Sequence, residues 1–132
     1  MQRWLLLIML VFQGLSGLVG GIGLIADPSG VTMQIPIEWL AGSPFTDYLV
    51  PGIVLLTVLG MFPLFVAWGT LQRKPWGRSG ALLVGLGLFI WILVEILVIG
   101  YQSDPPLQAI YGAVAVIILS LALLMTSGSS KL

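Results

Sequence analysis

The stretch Ser79–Gly100, SGALLVGLGLFIWILVEILVIG, carries a single charged residue, Glu95, in 22 positions. Wound as a helix it measures about 33 Å at 1.5 Å per residue, enough to cross ~30 Å of hydrocarbon. The basic segment LQRKPWGR, Leu71–Arg78, precedes it. Outward from this pair lie three more apolar runs of comparable length, at about 4–25, 48–70 and 107–126. The expected architecture is all-α: a polytopic membrane four-helix bundle formed by one domain, residues 1–132.

The charges between the runs give this bundle an orientation. Arg3 opens the chain, Arg73, Lys74 and Arg78 sit in the middle, and Lys131 lies near the end. Asp27, Glu38 and Asp47 fill the first gap, and Asp104 lies in the last. Lys and Arg accumulate in cytoplasmic loops. The expected topology is therefore N-in and C-in, with 26–47 and 101–106 outside. A cleaved signal peptide ending at Ala26 is a rival reading. Its apolar core would run about 21 residues against the usual 7–15, with the bulky Leu24 near the cut, so an uncleaved first helix is preferred. The tail at 127–132 is small and polar, the composition of an expression remnant.

Composition narrows the function classes. The 132 residues are 58% hydrophobic and 8% charged, with mean hydropathy +1.11, where a soluble domain carries roughly 25% charged residues. With no Cys there is no disulfide or thiolate chemistry. With no His the commonest metal ligand and general base is missing. The formal charge is zero, so no basic stripe points to nucleic acid. No phosphate loop, acidic metal pair or nucleophile elbow appears. The chain reads as non-enzymatic, without metal or cofactor, with membrane lipids as its expected partners.

Helix boundaries have local causes. Asp104 with Pro105, and Ser43 with Pro44, are cap-and-first-position pairs. Pro51 and Pro63 fall inside the second span and should bend it. Trp4, Trp39, Trp68, Trp76, Tyr48 and Tyr101 fall near the expected interfaces, as in an aromatic belt. The outer loop between helices 1 and 2 alternates apolar and polar residues from Val31 to Trp39. It is either extended, with one apolar face, or a short helix from Pro36 to Gly42. Either form would act as a lid over the outer end.

Small residues mark where helices can touch. Gly14, Gly17, Gly20 and Gly21 lie in the first span, with Gly17 and Gly21 forming a small-xxx-small pair. Such residues let backbones approach in lipid. Packing within the bundle, dimerisation through this face, contact with partner transmembrane helices, and room for a ligand are all open readings. Gln13, in the same span, is expected to make a helix–helix hydrogen bond.

Glu95 is the only ionisable acid or base inside a span, and an intramembrane charge costs roughly 2.5–3.5 kcal/mol on insertion scales. Counting at helical rise places it about 9 Å below the outer interface. The same count puts Tyr111, Gly20, Gly21, Pro51 and Gly52 at its level. Trp91 lies one turn below Glu95, Gln102 two turns above, and Gln108 one turn before Tyr111. These residues, Glu95, Tyr111, Trp91, Gln102 and Gln108, are the candidate ligand-binding set of an outward-opening polar pocket. Glu95 has three readings. It orders the bundle, protonated or hydrogen bonded; it binds a cationic or polar-headed lipid-like ligand; or it couples protons or cations in a small transporter or channel subunit. Arg73, Lys74 and Arg78 around Trp76 read either as topology anchors or as an anionic lipid-headgroup site.

Four short spans with one membrane Glu resemble the small multidrug resistance transporters. That family carries its Glu in the first helix, where this chain has Gln13, so no residue is carried over. The stretch SPFTDYLVPG, Ser43–Gly52, with the apolar run after it, is similar to small uncharacterised bacterial membrane proteins of four spans. That resemblance implies a bacterial inner-membrane setting and no particular activity.

Overall fold

The computed structural model describes residues 2–31, 46–99 and 107–124. These form four helices: α1 (Gln2–Ala26), α2 (Leu49–Leu71), α3 (Gly77–Ile99) and α4 (Leu107–Leu124). There is no strand among the described residues. The first three helices are long and apolar enough to cross a membrane. The described part of α4 is equally apolar and covers 18 residues, about 27 Å. The loop segment expected to be extended or short-helical, the cap pairs Ser43–Pro44 and Asp104–Pro105, Gln102 and Lys131 all lie outside the described residues.

Successive helices are antiparallel. Gly14, Gly17 and Gly21 of α1 meet Leu64, Leu59 and Leu56 of α2 in that order. Gly80 of α3 lies against Val66 of α2, and Gly85 of α3 against Leu119 of α4. The α1–α2 contact is closest because glycine leaves backbone against backbone. A Cβ on Gly17 would overlap the Leu59 carbonyl, and one on Gly21 would lie 2.6 Å from the Leu56 nitrogen. Gly60 answers from α2, its own Cβ position being 2.9 Å from the Leu18 nitrogen.

The densest packing lies toward the basic end of the helices. Leu6, Leu10, Val66, Val84 and Ile118 are fully buried there, one cluster drawing on all four helices. The aliphatic residues on the opposite helix faces are exposed in every helix, as suits a bundle whose surroundings are apolar.

The polar turns satisfy the helix ends. At the acidic end the Asp27 carboxylate accepts the Ser29 hydroxyl at 2.6 Å, and the Tyr48 amide donates to the Pro28 carbonyl at 2.8 Å. Asp47 accepts the Leu49 amide at 3.0 Å, placing a negative charge at the N-terminus of α2, where the helix dipole favours it. At the basic end α2 closes with paired reverse bonds: the Lys74 amide reaches the Gly69 carbonyl at 2.8 Å and the Arg73 amide the Thr70 carbonyl at 3.1 Å. This closure needs a left-handed residue, a place glycine usually fills. Here Arg73 occupies it with φ 56°, at a steric cost of roughly 1–2 kcal/mol. Trp76 then folds back into the space over Gly69 and stacks on Phe65 at 4.9 Å.

Candidate functional site

The site begins with a proline. Pro63 has no amide hydrogen, and the carbonyl four residues earlier is that of Leu59, so the regular helix bond there is lost. The helix responds with a π turn over Thr57–Met61, in which the Phe62 amide bonds the Thr57 carbonyl five residues back. The Thr57 hydroxyl donates to the Ile53 carbonyl at 2.8 Å, a bond that also bends helices. The Leu59 carbonyl, left over by Pro63, accepts Nε2 of the buried Gln13 from α1 at 3.1 Å. The helix–helix hydrogen bond expected of Gln13 is therefore present, and its partner is a backbone atom freed by proline. Gln13 Oε1 has no hydrogen-bond partner in the structure.

On the side of α2 facing α3, the π turn borders a groove. Val54, Val58 and Leu59 form one wall, and Gly87, Ile90, Trp91 and Val94 the other, around a cavity of about 260 Å³. Gly87 keeps it open: the one atom within 4 Å of a Cβ added there is Val58 Cγ1, at 3.9 Å. Trp91 lines this groove, and its indole lies beside the Glu95 carboxyl one turn further on. Gln108 Nε2 donates to Glu95 Oε1 at 3.3 Å, joining α4 to the same carboxyl. Glu95 itself is half-buried. A second, larger space of about 450 Å³ is lined by α1 alone, from Trp4 to Phe12, and is a shallow helix flank.

The residues singled out from sequence fall into three groups. Glu95, Trp91 and Gln108 come together, while Gln102 lies outside the described residues. Tyr111 has turned to α1, its ring stacked on Phe12 at 5.8 Å. Phe12 is eight residues from Gly20, about 12 Å along α1, so Tyr111 and Gly20 do not meet α1 at one level. Where Tyr111 meets α1 is set by the tilt and register of α4, which a residue count along each helix does not contain. The pocket beside Trp91 is apolar and lateral, bounded by α2 and α3; the polar, outward-opening pocket expected from sequence includes Gln102 and so reaches outside the described residues.

Gly14, Gly17, Gly20 and Gly21 all pack on α2, Gly20 against Leu55. That contact occupies the face that a second copy of the chain would need. The basic trio divides. Arg78 Nε donates to the Ala122 carbonyl at the end of α4, 3.1 Å away. Lys74 lies over the Trp68 ring at 5.7 Å from its centroid, and Arg73 is exposed in the turn. Arg3 does for α2 what Arg78 does for α4, donating through Nη1 to the Leu71 carbonyl at 3.4 Å. Cations are favoured at helix C-termini. The groove walls at Val54, Val58, Ile90 and Val94 carried no sequence signal. Pro63 with its fourth-preceding Leu59, and Gly87 in a long apolar run, were the usable signs.

The fold and site thus define a helical bundle with three helices able to cross a membrane, a proline-made π turn and a side groove. Comparison of the chain with protein-family models, curated proteins and solved structures finds no match.

Proposed function

We propose that this chain is an integral membrane binding module whose lateral groove takes the hydrocarbon chain of a lipid or lipid-like ligand. The observation that carries this reading is the cavity at Gly87, walled by apolar side chains and bordered by Trp91 at the approach to Glu95. An apolar cleft with few, well-placed polar groups is the usual form of a small-molecule site. At roughly 30 Å³ per methylene, about the volume share of one water, about 260 Å³ holds about nine carbons of one chain. The wall residues come from two helices, so the groove can be entered sideways from the bilayer.

The test is native mass spectrometry of protein released from lipid nanodiscs. Gly87→Leu projects a side chain into open space, so it should leave the melting temperature within a few degrees of the parent while removing the retained lipid. Retention of the same adduct by a folded Gly87→Leu variant would defeat the groove as its seat.

The setting we propose is a plasma or bacterial inner membrane, N-in and C-in, with the Arg73–Arg78 turn in the cytoplasm. Its support is the gathering of Arg3, Arg73, Lys74 and Arg78 at one end of the helices and the positive-inside rule. A cysteine placed at Pro75 should react with an impermeant maleimide only after the cells are opened. Labelling in intact cells would reverse the topology.

A further inference from the structure

We infer that the ligand of the groove is a bilayer lipid with a primary-amine headgroup, bound with one acyl chain beside Gly87 and its ammonium at Glu95. This rests on the groove reading above and adds the chemistry at its mouth.

Three observations lead to it. First, among the described residues the side-chain groups at Glu95 are of donor type: the Gln108 amide at 3.3 Å and the Trp91 indole. Donors on a carboxyl suit it as an acceptor, and a carboxylate has lone-pair positions for more than two donors. Second, among the described residues no cation lies near it. Of the five basic residues, Arg78 is seventeen positions away along α3, about 26 Å. Arg78 is also engaged with Ala122 at the far end of α4, and Arg3 with Leu71. A carboxyl within an apolar run is expensive unless it pairs, so its natural complement comes from outside the chain. Third, Trp91 belongs to both parts, lining the groove and lying beside Glu95. A molecule following the groove past Trp91 therefore arrives at the carboxyl. Apolar along its length and cationic with N–H donors at one end, such a molecule is an amine-headed amphiphile. The lateral opening selects the bilayer as its source. A primary ammonium can donate to the carboxyl, and a quaternary one cannot.

The experiment presents the protein with nanodiscs of equimolar phosphatidylethanolamine, phosphatidylcholine and phosphatidylglycerol, and reads the retained lipid by native mass spectrometry. Phosphatidylethanolamine should exceed each of the others by about tenfold, the ratio for one charge-assisted hydrogen bond of modest strength. Glu95→Gln, which keeps size and hydrogen bonding, should bring the three lipids within about twofold while a lipid is still retained. Unselective retention by the parent chain, or selection unchanged in Glu95→Gln, overturns the amine assignment. If Gly87→Leu still removes the lipid in that case, the groove reading survives alone. A further arm adds dodecylamine. Retention of dodecylamine with no phosphatidylethanolamine in its absence would make the ligand a free amphiphile and overturn the bilayer source.

Discussion

Gly17→Ala is expected to cost the bundle about 1–3 kcal/mol or more, the range of overpacking where backbone must move. The new methyl group would overlap the Leu59 carbonyl, and the Leu59 carbon and Gly60 nitrogen lie behind it. No rotamer change can relieve a clash with main chain. α1 and α2 must separate, and the separation propagates to Gly14 and Gly21 on the same face. It also stretches the bond from Gln13 to the Leu59 carbonyl. Steric trapping in bicelles, or unfolding in mixed micelles, should register the loss. Gly112→Ala is the control: nothing lies within 4 Å of a Cβ there, so helix propensity alone predicts no loss, and a gain of up to about 1 kcal/mol. Equal stability of the two variants would mean that the α1–α2 contact is not glycine-dependent.

The second large effect is a coupling between Gln13 and Pro63. In the parent chain, Gln13→Leu leaves the buried Leu59 carbonyl without its donor, a loss of about 1–2 kcal/mol. Pro63→Ala supplies an amide four residues after Leu59, so the carbonyl no longer depends on α1. In that background Gln13→Leu should cost nothing measurable. It also removes the unpartnered Oε1, which pushes the balance toward a small gain. A double-mutant cycle should give an interaction of about 1 kcal/mol or more. Additive losses would show that the glutamine does not serve the proline's carbonyl.

These two contacts show what the chain discloses before it is folded. The spans are legible because a helix in hydrocarbon must be long and apolar, and each of the four runs from Trp4, Tyr48, Ser79 and Leu107 meets that condition or nearly so. The face shared by Gly14, Gly17 and Gly21 is legible because small residues three and four apart align on a helix. That Gln13 would bond across helices could be read from its cost in lipid; that it would bond Leu59 could not. The pairing depends on the register of α1 on α2 and on the π turn that Pro63 induces. The groove was hidden for a related reason. It is made by a side chain that Gly87 does not have, and it exists only where Gly87 stands beside Val58. The neighbour of Tyr111 on α1 depends on the tilt and register of α4, which residue spacing alone does not contain. Glu95 announced itself as the lone charge of its span, and its neighbours, Trp91 one turn before and Gln108 at the start of α4, lay within reach of the same reasoning.

The two arginine contacts bear on how the chain is made. Arg3 fastens to the last carbonyl of α2, and Arg78 to one near the end of α4. Each guanidinium therefore closes its own pair of neighbouring helices and waits for no later one. As the ribosome delivers the polypeptide to the insertion machinery, the first 71 residues already contain both halves of the first clasp. The nascent protein can thus shut one hairpin before the other has emerged, and the second then docks on a partner that is already set.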